Sequence, residues 1–214
     1  MSIEGVIFDS DGTLVDSERM AAGLLRELLA ERDIHLPHDE VLRRFRGVQF
    51  AIFVGELCEE HAHLDAEPFM SDFRGRSLDL FAQGLDAMPG ALDFVRELKL
   101  PKCVATNGPR AKVETCLKTA GLWEAFAGNI VSAYEVNAWK PSPELILAAA
   151  QVLDLAPQQC LLVDDSVPGV QAGLAAGTVV AGYGDTDFSA FHGQPGFHHV
   201  PDYAALKALL ASLG

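Results

Sequence analysis

Basic residues are scarce in this chain: 16 Lys and Arg stand against 30 Asp and Glu, a formal charge of −14. So acidic a protein is repelled by phosphate backbones and anionic bilayers, which excludes nucleic acid and membrane surfaces as general partners. Long apolar runs are missing too, none approaching the roughly 18–20 residues that span a bilayer. No basic segment precedes the apolar run beginning at Ile3, so no secretory leader is expected, and the expected location is cytoplasmic. Only four cysteines occur, Cys58, Cys103, Cys116 and Cys160, with no CxxC spacing. Cys103 and Cys160 fall inside apolar runs, so buried free thiols are expected rather than disulfides or zinc ligands. Repeats and low-complexity tracts are lacking, and an apolar fraction of 49% excludes disorder. A monomer is expected.

What is present is a change of rhythm along 214 residues. Gly5-Val6-Ile7-Phe8 reads as a short buried strand. From Ser17, apolar residues at Met20, Leu24, Leu25, Leu28 and Leu29 keep helical spacing, and charge-interleaved helical sequence continues to about Leu85. The Leu24/Leu28 stripe reads as internal packing. Met88-Pro89-Gly90 then punctuates the chain, and helices alternate with strands. The expected strands are Lys102–Asn107, Asn129–Ala133, Cys160–Val163 and Thr178–Gly182. The expected helices cover about 91–99, 110–120, a segment starting at Ser142-Pro143-Glu144 with serine as cap, and Val167 to Gly177. Gly182-Tyr183-Gly184 reads as a loop, and the turn-rich 185–201 yields no assignable element. Such alternation implies an α/β fold: a parallel, doubly wound, Rossmann-like sheet joined by right-handed crossovers. The core is expected over 1–15 and 88–214, with 16–87 as an inserted helical cap.

In an open parallel sheet, functional groups gather at the carboxyl ends of the strands. Those ends carry, in order, Asp9 and Asp11, then Thr106-Asn107-Gly108, then Lys140 in Trp139-Lys140-Pro141, then Asp164-Asp165. Taken singly, each reads as a turn or surface residue; the ordered set points to a site. A strand end crowded with carboxylates also demands a cation.

The stretches FDSDGTLVDS, ATNG, WKP and LLVDDSVPGVQAGLAAG resemble the four motifs of the haloacid dehalogenase-like phosphohydrolases. The helical insertion resembles the cap of their β-phosphoglucomutase-like branch. Within that branch RFRGV, TNGP, WKPSP and LVDDSVPG are most similar to the 6-phosphogluconate phosphatases.

The resemblance implies hydrolysis of a small phosphorylated metabolite, a sugar or sugar-acid phosphate, through an aspartyl-phosphate. It makes Asp9 the nucleophile and Asp11 the general acid and base. It assigns Mg²⁺ to Asp9, Asp164, Asp165 and the backbone carbonyl of Asp11. Lys140 becomes the phosphate's cationic partner, and Thr106 and Asn107 its hydrogen-bond donors. The chemistry is coherent: a carboxylate needs no base to attack phosphorus. Its repulsion from each phosphate charge, about 5 kcal/mol at ~3 Å with an effective dielectric of ~20, requires cations to cancel it. Specificity is expected from the cap, through Arg46 and Gly47 in RRFRG, with arginine suited to gripping a carboxylate.

Two other functions fit parts of the pattern. A phosphosugar mutase would carry a histidine in the first cap helix, where Ala21 stands. A signalling receiver domain also uses Asp, Thr and Lys with magnesium, but would lack Asp11 and the insertion. His61, His63, His198 and His199 read as surface residues.

Overall fold

The computed structural model describes residues 2–46, 48–126 and 128–214. Gly47 lies outside the described residues, so its expected role with substrate has no structural counterpart here.

The first strand, β1 (Gly5–Phe8), is buried along its whole length. Helices α1 (Ser17–Ala30), α2 (His38–Phe45), α3 (Phe50–Glu60) and α4 (Ala66–Gln83) follow. The chain then alternates through α5 (Ala91–Glu97), β2 (Lys102–Thr106), α6 (Arg110–Thr119), the single turn α7 (Trp123–Phe126) and β3 (Ile130–Ser132). A short α8 (Ala133–Val136) precedes α9 (Glu144–Val152), β4 (Cys160–Asp164), α10 (Val167–Ala176), β5 (Val179–Tyr183), β6 (Phe197–Val200) and α11 (Tyr203–Leu213).

All six strands are parallel, in the order β3-β2-β1-β4-β5-β6. Because successive side chains alternate across a strand, one chain serves two cores. Val6, Phe8, Val104, Leu161 and Val163 point into one core, which also takes in the buried faces of α1 and α4 to α6. Ile7, Cys103, Ala105 and Leu162 point into the other, against Leu145 and Ile146 of α9 and Val170 of α10. The four cysteines are free, three of them buried.

The apolar faces of the helices between β1 and α5 continue the first of these cores. Leu24, Leu25, Leu28 and Leu29 of α1 are buried, as their spacing requires. Phe45, Phe50, Phe53 and Phe73 form an aromatic cluster, with the Phe50 and Phe73 rings 4.6 Å apart. The chain leaves for these helices and returns from them along adjacent paths. Asp16 N–H donates to the carbonyl of Asp86 at 3.0 Å and Met88 N–H to that of Leu14 at 2.9 Å, around an antiparallel Val15–Ala87 bridge.

Three local expectations change. The segment 185–201 contains a 3₁₀ turn (Ser189–Phe191) and the edge strand β6. Gly182 and Tyr183 belong to β5 rather than to a loop; a Cβ at Gly182 would meet Phe197 at 2.8 Å. Ser142 is not the cap of α9. Its hydroxyl donates to the Glu144 carboxylate instead, and Pro143 occupies the cap position.

Candidate active site

The strand order reverses between β1 and β4, and at such a switch point the flanking crossovers diverge and leave a crevice. Asp9 follows β1 and Asp164 ends β4, so two carboxylates face each other there. Lys140 sits between them. Its Nζ reaches Asp9 Oδ1 at 2.5 Å, Asp164 Oδ2 at 2.8 Å and the carbonyl of Ala105 at 2.7 Å. Three acceptors take its three protons, and the side chain is only 3% exposed. Burial pulls the ammonium down, but Asp164 and Asp9 outweigh it and leave its pKa raised.

Asn107 holds the lysine from behind. Its Oδ1 accepts from Lys140 N–H at 2.9 Å, and its Nδ2 donates to the Lys140 carbonyl at 3.4 Å. Both ends of the amide are thus committed to Lys140, whereas the family resemblance implied that Asn107 donates to phosphoryl oxygens. Thr106 Oγ1 accepts from Gly108 N–H at 2.9 Å, which leaves its own proton to donate.

Asp11 faces a different cation. Lys112 Nζ of α6 lies 2.8 Å from Asp11 Oδ1, and the Ser17 hydroxyl at the start of α1 donates to the same oxygen. Burial alone would raise the Asp11 carboxyl; Lys112 and Ser17 overrule it and hold the pKa below the usual range. Sequence reasoning missed Lys112. Its only signal was a lysine one turn into the helix after Thr106-Asn107-Gly108, which no spacing rule separates from a solvated one.

The two C-terminal acids of the set divide their work. Asp164 is fully buried and saturated: Ser166 N–H and Oγ donate to Oδ1 at 2.9 and 2.7 Å, and Lys140 to Oδ2. The first turn of α10 closes over it so tightly that a Cβ at Gly169 would fall 1.9 Å from its carboxyl carbon. Asp165 is left short. Thr13 Oγ1 donates to Oδ1 at 3.3 Å, but Oδ2 is buried without a hydrogen-bond partner among the described residues. Gly12, at φ 75°, lets the chain pass close by; a Cβ there would lie 2.3 Å from Asp165 Oδ2.

These carboxylates ask for positive charge. Burial pushes Asp9 up to about 7, with Lys140 opposing and Asp164 and Asp11 reinforcing the rise. Burial likewise raises Asp165 well above its ordinary value, helped by Glu18, Asp9 and Asp164. A buried Asp165 oxygen without a hydrogen bond, beside a buried Asp9 whose charge the surroundings disfavour, fits a hard divalent cation. Among the described residues, no group of three or more His, Cys, Asp or Glu side chains is arranged to hold a metal ion by itself.

Arg46, just past α2, lies across the crevice from these acids. Nη2 is 3.6 Å from Asp165 Oδ2 and Nη1 3.2 Å from Asp185 Oδ1. Nε is 3.0 Å from Glu18 Oε2, a close contact not aligned as a hydrogen bond. Every edge of the guanidinium therefore meets a carboxylate of the protein, and Arg46 is absent from the lining of the cavity over the strand ends. That cavity, about 380 Å³, opens above Asp9, Asp11, Thr106 and Lys140 and is walled on the helical side by Phe45, Phe50, Phe73 and Arg74. Ala21 also lines it, and His61, His63, His198 and His199 do not.

Comparison with known proteins bears on the family and the fold. The chain is 35% identical over 182 residues to a 6-phosphogluconate phosphatase of Escherichia coli, covering 83% of this chain and 81% of that one. It is 32% identical over 192 residues to hexitol phosphatase A of the same species, covering 83% and 81%. A solved hydrolase of the same family from Deinococcus radiodurans, with bound phosphate and sodium, superposes with a TM-score of 0.81 at 30% identity, over 100% of this chain and 97% of that one. Residues 3–177 match the haloacid dehalogenase-like hydrolases as a family, and with the strand-end set Asp9, Thr106, Lys140 and Asp164 in place, the chain belongs to that family.

Proposed function

We propose that this enzyme is a magnesium-dependent phosphatase acting on a small sugar or sugar-acid phosphate, with residues 16–87 serving as a cap over the site. The observation that carries the reading is the Asp9–Lys140–Asp164 chain at the switch point, on the floor of a cavity large enough for a six-carbon ester.

The residues divide the reaction as follows. An Asp9 oxygen attacks phosphorus, and the bond to the ester oxygen breaks. Asp11 delivers a proton to that departing oxygen, so the alcohol leaves neutral. The aspartyl-phosphate is then attacked by water, whose proton returns to Asp11, releasing phosphate and regenerating Asp9. Lys140 and the Thr106 hydroxyl stabilise negative charge on the phosphoryl oxygens. Asp9 and Asp165 would hold the magnesium, which supplies the charge that lets an anionic nucleophile approach an anionic phosphate. Asp164 acts by fixing Lys140.

The mutase alternative would need an additional acid–base group on the α1 wall of the cavity. Ala21 stands there, 1% exposed, and favours hydrolysis. The relatives named as 6-phosphogluconate and hexitol phosphatases support a phosphorylated carbohydrate as substrate. The direct test is phosphate release from a panel of phosphorylated metabolites by wild type and Asp9→Asn. The expected result is turnover by wild type alone, with Asp9→Asn folded and inert. Full activity in folded Asp9→Asn protein would sink the mechanism.

A further inference from the structure

Three cations line the cavity, and two of them are already committed. Lys140 is held by Asp9 and Asp164, and Lys112 by Asp11. The third, Arg74, has neither an ion-pair nor a side-chain hydrogen-bond partner among the described residues. Other arginines around it do: Arg32 pairs with Asp72, Arg44 with Glu60, Arg46 with three acids and Arg76 with Glu31. Arg74 is exposed, and Arg19, Arg26, Arg43 and Arg96 also lack an ion pair among the described residues, but of these five arginines Arg74 alone lines the catalytic cavity.

Its placement is specific. Phe73, Arg74, Ser77 and Leu78 all line the cavity, so one face of α4 forms that wall. Phe73 is packed into the aromatic cluster and nearly buried, which fixes the helix at this point. The Ser77 hydroxyl is turned back to the Arg74 carbonyl at 3.2 Å and does not compete for the guanidinium. The α4 wall faces the cavity from the side opposite the strand-end residues Asp9, Thr106 and Lys140, where the leaving part of an ester held at those residues would lie.

We propose that Arg74 binds the carboxylate of the leaving group and selects sugar-acid phosphates over neutral sugar or hexitol phosphates. The inference rests on the phosphatase reading above and moves the specificity role from Arg46 to Arg74. A guanidinium offers two parallel N–H donors to a carboxylate, and a neutral polyol cannot exploit its charge.

The experiment compares kcat/KM for 6-phosphogluconate and for a neutral hexitol 6-phosphate in wild type, Arg74→Gln, Arg74→Lys and Arg46→Gln. Wild type is expected to prefer the acid. Arg74→Gln should lower the acid-to-neutral ratio by about 10- to 100-fold, mainly through KM, the loss of one charged hydrogen-bond pair. Arg74→Lys should restore part of that ratio. Arg46→Gln should leave the ratio closer to wild type than Arg74→Gln does. Equal losses on both esters in Arg74→Gln, or an unchanged ratio, would overturn the assignment. Wild-type turnover without acid preference would overturn it while leaving the phosphatase intact, and turnover of neither ester with Mg²⁺ would remove both.

Discussion

Lys140 is an ammonium with no spare proton, packed between two carboxylates in a place water barely reaches. Removing it leaves Asp164, fully buried, facing Asp9 without a counter-charge. Breaking a buried pair from one side costs about 3–5 kcal/mol, so Lys140→Met should lose that much stability along with its activity. Thermal unfolding would show a Tm lower by about 10 °C for a chain of this size; an unchanged Tm would contradict that cost. Lys112 offers the complementary test. It holds the Asp11 pKa down, so Lys112→Met should let that carboxyl keep its proton to higher pH. If Asp11 is the acid that protonates the leaving group, the alkaline limb of the kcat profile should then move upward in pH. A limb that stays put would assign that limb to another group. The acids, Thr106 and Lys140 were legible in the sequence because a parallel sheet collects strand ends at one edge. Lys112 was not, since which side of a helix meets the crevice depends on packing rather than spacing. Asn107 was found, but its amide geometry decides between holding Lys140 and holding phosphate, and no residue string encodes that.

Among the elements, the strands buried on both faces were the easiest to read, because β1, β2 and β4 are apolar from end to end. The edge strand β6 was not legible. Among the described residues it pairs only with β5, and the middle of its Phe-His-His-Val is half-buried or exposed, so it carries too few apolar positions to stand out from a turn-rich neighbourhood. The single-turn helices α7 and α8 are too short to show a period at all. In the helical insertion the apolar stripe of α1 was visible, but the aromatic cluster joining α2, α3 and α4 arises only from their packing. Phe53 is completely buried within it. Phe53→Ala should cost about 3–5 kcal/mol, measurable by urea unfolding. A cost below about 1 kcal/mol would mean that the cluster collapses around the missing ring.

Across the whole molecule, a net charge of −14 opposes an anionic substrate, and the chain's own bases answer it only locally. With Asp165 Oδ2 lacking a hydrogen bond and met by Arg46 at 3.6 Å, and Asp9 raised to about 7, added divalent charge is expected to be indispensable. EDTA should abolish phosphate release and Mg²⁺ should restore it. Ca²⁺ should not, because its larger and looser coordination sphere can take both Asp9 oxygens and spoil the attack. Comparable rates with Ca²⁺ or in EDTA would contradict this account. Among the described residues, no helix is long and apolar enough to cross a membrane.

The two chain segments joined by the Val15–Ala87 bridge have a consequence for how such an enzyme changes its diet. They lie side by side, at strand-neighbour spacing of about 5 Å, so to the sheet everything between them is a closed loop. Closing a longer loop costs only ~0.6 kcal/mol per doubling of its length. A helical block of another size and lining could therefore be grafted between the same two points without shifting Asp9, Lys140 or Asp164. In such a chimera the chemistry would be inherited from one parent and the appetite from the other.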